Sequence, residues 1–456
     1  MNIASNLVFF IIDIFIIYVI IKNNQQVFAE QGEIHMTNIK SAMIVGGGIG
    51  GLVTALKLHR VGVSVRVFES VETIKALGVG INLLPHAVRV LTELGLADEL
   101  EKIGLPTAEL IYVNKFGQNI WREPRGIEAG YHWAQYSTHR GKLQMLLLEA
   151  VKKELGERSV FTGHHLKSFQ TFGDIVVAQF ENRKTGESLG THHADIMIGA
   201  DGIHSVVRKF YYPDEGIPKF SGRILWRGIT ESTPFLTGRS MIMAGYQDQK
   251  FVAYPVCPDT AAKGKSLVNW IAELAVGDEM PSRADWNRKI DKEIFAPAFE
   301  SWDFGWLNVP KLIEETDAVY EFPMVDRDPL PQWTFGRVTL LGDAAHPMYP
   351  IGSNGASQAI LDADALGEAI LEYRDAELAL KVYEEARLEA TANIVLLNRK
   401  NGPEVVMQIV EERAPDGFID LEDVVSYEEL EGISNRYKQI AGFDKEKLNR
   451  KLGVTS

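Results

Sequence analysis

A glycine-rich turn between an apolar run and a helix-like pattern constrains this chain more than any other feature. The apolar residues 43–45 lead into Gly46, Gly48 and Gly51, which fill a G-x-G-x-x-G frame. The first glycine of such a frame permits a tight turn, the second lets the backbone approach a pyrophosphate, and the third lets helix pack on strand. The frame therefore predicts a strand, a turn and a helix whose N-terminus faces a phosphate group.

A second predicted strand strengthens this interpretation. It covers residues 63–68 and ends at Glu69, which lies 18 residues after Gly51. A carboxylate at this place accepts hydrogen bonds from a ribose hydroxyl in dinucleotide-binding proteins. Glu69, the glycines of the frame and the residues Ile49 and Gly50 within it together predict an adenine dinucleotide site. The pattern does not say which dinucleotide binds.

Composition and charge exclude several other classes of protein. The chain has 456 residues, enough for two or three domains, and its 47 basic and 61 acidic residues give a net charge of −14. No basic stretch is present, so nucleic acid is not expected as a partner. Cys257 is the only cysteine, which excludes an internal disulfide and a cysteine-based zinc site. The pair His192 and His193 lacks a third ligand at plausible spacing, so no metal is predicted.

The first 35 residues differ from the rest of the chain. Residues 7–21 are almost wholly apolar apart from Asp13, yet 15 residues form a helix of only about 22 Å. The hydrocarbon core of a bilayer is about 30 Å thick. A membrane anchor, a secretory signal and an upstream extension that the working enzyme does not use are the three alternatives. We favour the extension and a cytoplasmic enzyme, with weak membrane association through residues 3–21 as the alternative.

Two further motifs follow predicted buried strands. Asp201 comes after residues 194–198, and Gly342 with Asp343 comes after residues 336–341. Open α/β sheets bind ligands at the carboxyl ends of their strands. An aspartate in such a place also serves as a helix N-cap, so each one taken alone has two equal explanations. Combined with the glycine frame, the two motifs favour ligand binding.

This ordered set of motifs resembles the flavin-dependent aromatic hydroxylases of the para-hydroxybenzoate hydroxylase superfamily, over about residues 43–399. Residues 77–82, 138–141 and 342–361 are also similar to the phenazine-modifying 5-methylphenazine-1-carboxylate 1-monooxygenase type. The resemblance implies an α/β fold with a Rossmann-like FAD-binding domain, an inserted antiparallel-sheet substrate domain and C-terminal helices. The implied divisions are an apolar extension at 1–35, an FAD-binding domain at 36–104, 132–217 and 323–400, a substrate domain at 105–131 and 218–322, and a helical tail at 401–456.

The resemblance also implies roles for individual residues. Glu69 would bind the FAD ribose, Asp201 would lie near the pyrophosphate and serve nicotinamide binding, and Asp343 would bond the ribityl chain. Arg140 would add a flavin contact, and Ser70 departs from the arginine of many relatives. The loop 352–355 would present backbone N–H groups to the flavin ring, where a helix start stabilises negative charge. The residues predicted to bind FAD are Gly46, Gly48, Ile49, Gly50, Gly51, Glu69, Arg140, Asp201, Gly342, Asp343, Gly352, Asn354 and Gly355.

The activity implied by the resemblance is aromatic hydroxylation. NADH or NADPH would reduce FAD, and a C4a-hydroperoxide formed with O2 would pass one oxygen atom to a phenazine- or salicylate-like acid. Trp226, Arg227 and Tyr254 are candidate substrate contacts, although core packing or a structural ion pair explains each one separately. No acid–base residue is predicted, and His346 is expected to be structural. A flavoprotein oxidase or dehydrogenase and a non-catalytic flavin sensor are the alternatives, and the enzyme is expected to be a monomer or homodimer.

Overall fold

The computed structural model describes residues 38–76, 78–279 and 288–450. The predicted extension at residues 1–35, with its apolar segment 3–21, lies outside these ranges. Within them, no helix combines the length and apolar character needed to cross a membrane.

Strands and helices alternate in the first part of the chain, and strands dominate the middle. The strands are β1 Ser41–Val45, β2 Ser64–Phe68, β3 Gly80–Leu83, β4 Gly104–Pro106, β5 Glu109–Val113, β6 Asn119–Pro124, β7 Tyr136–His139, β8 Val160–Phe161, β9 His165–Phe172, β10 Ile175–Glu181, β11 Ser188–Ala194, β12 Ile196–Gly199, β13 Lys219–Ser232, β14 Ser240–Tyr246, β15 Gln249–Pro255, β16 Ser266–Ala275, β17 Arg288–Ile290, β18 Val319–Asp326 and β19 Val338–Leu340. The helices are α1 Ile49–Arg60, α2 Pro85–Glu93, α3 Ala97–Ile103, α4 Arg140–Leu155, α5 Val206–Tyr211, α6 Pro258–Ala261, α7 Val309–Glu314, α8 Gly355–Glu372, α9 Ala376–Asn398, α10 Val405–Arg413, α11 Tyr427–Ile440 and α12 Lys445–Arg450.

A five-stranded parallel sheet forms the centre of the first domain. Its strand order is β19-β12-β1-β2-β8, and β1 pairs with both β2 and β12. Four of the five β1 residues are buried, as expected for a strand covered on both faces. Helix α1 buries Leu52, Val53 and Leu56 in the core of this domain. The predicted Rossmann-like domain is confirmed.

An eight-stranded sheet forms the second domain. Its order is β17-β18-β13-β16-β15-β14-β5-β6, and its pairs are antiparallel except for β5 and β14, which run parallel. One face packs against the aromatic side chains of Phe295 and Phe299. The other face carries Tyr254 and packs against tail residues such as Val406 and Met407. The predicted inserted sheet domain is therefore confirmed, with one parallel pair that the sequence did not predict.

Two predicted domain boundaries need correction. Strand β18 continues to Asp326, which pairs with Lys219, so residues 323–326 belong to the substrate sheet and not to the FAD-binding domain. Proline removes a backbone donor and is therefore disfavoured inside a sheet. Here the pairing with β13 shifts register between Pro323 and Val325, an irregularity of the kind that tolerates proline. Strand β4 pairs with β7, so residues 105–106 lie with the FAD-binding domain.

Candidate active site

A cavity of about 360 Å³ lies between the two domains. Its walls are the glycine turn before α1, the loop before α8 and the face of the substrate sheet that carries Tyr254. Many of the predicted site residues meet here, although they come from distant parts of the chain. Those that line the cavity are Gly48, Ile49, Gly50, Arg140, Gly342, Asp343, Asn354, Gly355, Arg227 and Tyr254.

In the glycine turn, two glycines have no space for a side chain and a third has open space beside it. Gly46 has a φ of +111°, and a Cβ there would lie 2.2 Å from the carbonyl oxygen of Ala200. A Cβ on Gly51 would lie 2.1 Å from the carbonyl oxygen of Gly46. A Cβ on Gly48 would meet no atom within 4 Å. The turn thus leaves open space beside Gly48 at the N-terminus of α1, where backbone N–H groups attract a phosphate.

Glu69 holds the glycine turn directly. Its Oε2 accepts a hydrogen bond from the Gly47 N–H at 2.8 Å, and its Oε1 accepts one from the Val71 N–H at 2.9 Å. The Ser70 hydroxyl donates to Oε1 at 3.1 Å. Gln144, which the sequence did not single out, donates to the Gly47 carbonyl at 2.8 Å. The contact between Glu69 and a ribose remains a prediction.

Asp201 accepts hydrogen bonds at the start of a helix whose N-cap residue is Ser205. Its carboxylate accepts hydrogen bonds from the Ser205 hydroxyl at 2.5 Å and from the Val206 N–H at 2.7 Å, at the start of α5. Burial raises its pKa. Its neighbours Ala200 and Gly202 line the cavity, whereas Asp201 itself does not. The hydrogen bonds at the start of α5 therefore account for this side chain, and its contact with FAD remains a prediction.

Asp343 differs from Asp201, because within the described ranges its carboxylate has no hydrogen-bond partner. It is exposed to the cavity, and desolvation by the surrounding protein raises its pKa. The turn that presents it is fixed by Asp362, which accepts hydrogen bonds from the Gly342 N–H at 3.0 Å and the Arg387 Nε at 2.8 Å. His346 Nε2 lies 2.5 Å from the same Asp362 carboxylate, so this histidine is structural. The sequence had not indicated the role of Asp362.

Asp362 is the most strongly stabilised of these carboxylates. Burial alone would raise its pKa, but His346 and Arg387 lower the pKa to about 2. The side chain is therefore ionised at neutral pH and holds the Gly342 turn through a charged hydrogen bond.

The loop before α8 is held by the C-terminal tail. Gly352 has a φ of +67°, and a Cβ there would lie 2.0 Å from the Tyr437 hydroxyl oxygen. The Gly352 N–H donates to Glu404 Oε1 at 3.2 Å, and the Asn354 Nδ2 donates to the Tyr437 hydroxyl at 2.9 Å. Gly355 then begins α8 with open space at its Cα. The sequence did not indicate that the tail reaches this loop.

Adjacent residues of β13 serve opposite faces of the substrate sheet. Leu225 and Arg227 line the cavity, whereas Trp226 stacks on Phe295 with ring centroids 4.9 Å apart. The Trp226 Nε1 donates to Glu321 at 3.1 Å. Trp226 therefore belongs to the core behind the sheet, and its selection as a substrate contact is corrected, because side chains alternate between faces along a strand.

Arg227 is a half-buried cation without an anionic partner at ion-pair distance among the described residues. Its Nε has no hydrogen bond, its guanidinium lies 5.2 Å from the Phe322 ring centroid, and burial lowers its pKa. Tyr254 lines the same wall, and burial raises the pKa of its hydroxyl, which stays protonated.

A chain of buried ion pairs forms the adjacent part of the wall. Lys250 Nζ lies 2.9 Å from Glu273 Oε2 and 2.6 Å from Glu404 Oε2. Arg223 lies 3.0 Å from Glu273 Oε1. These two cations and two anions neutralise one another, so they leave the charge of Arg227 uncompensated.

Comparison with known proteins places the chain in a family. The FAD binding domain family matches residues 40–397. The phenazine 1,6-dicarboxylic acid hydroxylase PhzS of Lysobacter antibioticus is 44% identical over 363 residues, which cover 78% of this chain and 88% of that protein. The 6-hydroxynicotinate 3-monooxygenase of Pseudomonas fluorescens is 30% identical over 368 residues, which cover 78% and 90%. A solved salicylate hydroxylase substrate complex shares the fold, with a TM-score of 0.69 at 23% identity over 92% of this chain and 99% of that one.

The residues that line the cavity suit FAD chemically. The helix start beside Gly48 suits a pyrophosphate, the free Asp343 carboxylate suits hydroxyl groups, and the helix start at Gly355 suits a ring that carries negative charge. Within the described ranges, no cluster of His, Cys, Asp or Glu could hold a metal ion. The chain belongs to the FAD binding domain family and is an FAD-dependent monooxygenase of aromatic compounds.

Proposed function

We propose that the enzyme hydroxylates an aromatic acid of the phenazine or salicylate type, and that Arg227 binds the carboxylate of this substrate. The observation that carries the proposal is that Arg227 lies on the wall of the cavity, and that its Nε has no hydrogen-bond partner among the described residues. A carboxylate offers a guanidinium two parallel hydrogen bonds, and it would neutralise this half-buried charge.

The apolar part of the cavity wall supports an aromatic ring next to this cation. Such a wall binds a flat ring by excluding water, while one charged group fixes its orientation. Two relatives act on compounds of this kind by name, a phenazine dicarboxylic acid and a hydroxynicotinate. The apolar side chains that line the cavity on the substrate sheet are Leu225, Met241, Met243, Val252 and Ile271.

When bound, FAD supplies the electron transfer from NADH or NADPH and the reaction with O2. The protein residues position and shield these reactants. The N–H group at Gly355 would face the flavin ring, whereas the Gly352 N–H is taken by Glu404. Asp343 would accept hydrogen bonds from the ribityl hydroxyls. Tyr254, kept protonated by burial, is a neutral hydrogen-bond donor beside the substrate. The apolar wall keeps water from the reacting atoms.

The test uses the FAD-loaded protein with phenazine-1-carboxylate, phenazine-1,6-dicarboxylate and salicylate. We expect one of these acids to accelerate oxidation of NADH or NADPH and to give a product that has gained one oxygen atom. The Arg227→Gln variant should bind that acid about 10- to 100-fold more weakly, the effect of losing a charged hydrogen bond.

The matched control is Arg122→Gln, because Arg122 lies on the same sheet, is exposed and is paired with Glu109 at 2.7 Å. It should bind the acid as the wild type does. Equal affinity of the Arg227→Gln variant would contradict the role of Arg227. Release of H2O2 without an oxygenated product from every acid would contradict the choice of substrate and favour an oxidase.

Location and assembly are also proposals. A cytoplasmic monomer or homodimer fits the need for FAD and reduced nicotinamide, which are cytoplasmic pools. The alternative of weak membrane association rests on residues 3–21, which lie outside the described residues. Cell fractionation and the mass of the purified protein in solution would decide both points.

A further inference from the structure

A second, smaller chamber adjoins the main cavity. It has a volume of about 20 Å³ and shares Met241, Met243 and Ser353 with the main cavity. One side is formed by strands β5, β6 and β14 of the substrate sheet. The other side is formed by the tail, including Tyr437 and Phe443. The chamber therefore lies between the substrate sheet, the tail and the loop before α8.

Three buried polar side chains that line this chamber have atoms without hydrogen-bond partners. They are the Tyr112 hydroxyl, the Arg125 Nε and the Gln135 Oε1, on side chains of residues only 2%, 8% and 2% exposed. A buried polar atom without a hydrogen-bond partner destabilises the fold, because it has lost its bonds to water. Three such atoms in the lining of one small space indicate that a polar group completes them.

The charges around the chamber indicate what kind of group this is. Glu123 lies 2.5 Å from Arg125 and 2.6 Å from Lys438, and it also accepts a hydrogen bond from Ser434. Burial alone would raise the pKa of Glu123, but Arg125 and Lys438 lower it to about 2, so it is ionised. Two cations against one anion leave an excess positive charge. The Tyr112 hydroxyl and the Arg125 Nε can both donate to an oxygen that carries negative charge, whereas Gln135 Oε1 is an acceptor and would not bond to it. The preference for an anionic oxygen therefore rests on Tyr112, Arg125 and the excess positive charge.

We propose that this chamber is a second polar subsite of the active site, which receives a small anionic oxygen group of the substrate such as a second carboxylate. The inference rests on the proposed function, since it assumes an aromatic acid in the main cavity. The chamber has room for about one oxygen-sized atom, so one oxygen of such a group would enter it, and a ring is excluded. Met241 and Met243, whose side chains are flexible, separate the two spaces and can move aside for a substituent. Tyr112 and Arg125 are then specificity-determining residues for aromatic diacids.

The experiment compares a monoacid and a diacid in the full FAD-loaded protein. Phenazine-1-carboxylate and phenazine-1,6-dicarboxylate are titrated while the absorption spectrum of the bound FAD is recorded, which gives a Kd without turnover. In Tyr112→Phe, which loses only the unpartnered oxygen, the Kd of the diacid should rise about tenfold. The Kd of the monoacid should stay as in the wild type.

The matched control is Ser266→Ala. The Ser266 hydroxyl is also buried and unpartnered, at 3% exposure, but it lines neither space. This variant should leave both Kd values unchanged, and both variants should keep the wild-type Tm. If Tyr112→Phe does not fold, Arg125→Lys, which keeps the charge and removes the Nε donor, should show the same selective loss for the diacid.

The result that overturns the inference is an equal change in both Kd values or no change in either, as expected if the chamber holds only solvent or an inorganic anion. In that case the monoacid still binds and depends on Arg227, so the proposed function stands. If neither phenazine acid binds the wild-type protein, this inference fails, and the proposed function fails with it only if salicylate does not bind either.

Discussion

The two ends of the active-site cavity are built in different ways. At the glycine turn, the contact between Gly47 and Glu69 joins residues 22 positions apart within one strand–turn–helix–strand unit. At the other end, Asn354 bonds Tyr437 across 83 positions, and Lys250 bonds Glu404 across 154. The first end is specified by local backbone geometry, whereas the second is specified by buried polar groups that meet only in the folded protein.

This difference has a consequence for mutations. At the glycine turn, the absence of a side chain is the main requirement, because the backbone itself forms the site. At the substrate end, the identity and charge of each side chain matter, because each buried charge depends on a distant partner. Three comparisons of variants test this contrast, from the largest expected effect to the smallest.

The largest effect is expected for Gly46→Ala. A Cβ there would lie 2.2 Å from the Ala200 carbonyl oxygen, and the φ of +111° is strained for alanine, so we expect a loss of about 3–5 kcal/mol of unfolding free energy. The measurement is chemical denaturation, together with FAD occupancy of the purified protein.

Gly48→Ala is the matched control in the same turn. Its φ is −74° and its Cβ would meet no atom within 4 Å, so the variant should fold as stably as the wild type. Its FAD affinity should fall nonetheless, because the methyl group enters the open space. If Gly48→Ala kept full FAD affinity, the cofactor would not approach the backbone at this point.

An intermediate effect is expected for Glu404→Gln. It removes one of the two carboxylates that neutralise Lys250, and it weakens the acceptor of the Gly352 N–H. Glu273 still pairs with Lys250, so we expect a loss of about 2–3 kcal/mol of unfolding free energy, measured by denaturation.

Glu429→Gln provides the comparison for this substitution. Glu429 forms a pair with Arg413 at 2.9 Å on the exposed surface, and such pairs contribute little. The change in unfolding free energy should be close to zero. Equal losses in the two variants would show that the buried chain of charges does not support the substrate end.

The smallest effects on stability are expected for Asp201→Ala and Asp343→Ala, which test whether each aspartate stabilises the fold or binds FAD. Asp201→Ala removes the acceptor of the Val206 N–H at the start of α5 and should cost about 1 kcal/mol of unfolding free energy. A fall in its FAD occupancy would support the predicted contact with the cofactor, and an unchanged occupancy would leave Asp201 with the structural role alone. Asp343→Ala removes no internal hydrogen bond, so stability should be kept while FAD retention falls. Both quantities are measured for both variants. Unchanged FAD occupancy in Asp343→Ala would remove this residue from the cofactor site.

The contrast between the two ends also explains what could be predicted from the sequence. The FAD-binding fold followed from the Gly46 turn and from the strand that precedes Asp343, because each motif and its structure lie in the same short stretch. The role of Arg227 was open, since an arginine on a half-buried strand fits an ion pair equally well. The same ambiguity led to Trp226, whose face of the sheet depends on strand register.

The tail was the main omission. Glu404 and Tyr437 look like ordinary helix residues in the sequence, and nothing near them indicates contact with Gly352. Tyr112 and Arg125 were also missed, because an unsatisfied polar atom is visible only once its surroundings are folded. The spacing of residues in the sequence indicates a local structure such as the turn at Gly46, but it carries no information about such long-range pairs.

Because side chains alternate between the two faces of β13, the substrate preference of the enzyme can change without a loss of folding stability. Positions 225 and 227 face the cavity, so substitutions there alter what is accepted, while position 226 holds the aromatic core behind the sheet. Substitutions at alternate positions of this one strand can thus change substrate specificity and core stability separately. A single-residue insertion before Leu225 would shift the register by one residue and exchange the two faces. It would place an arginine in the core and a tryptophan in the cavity.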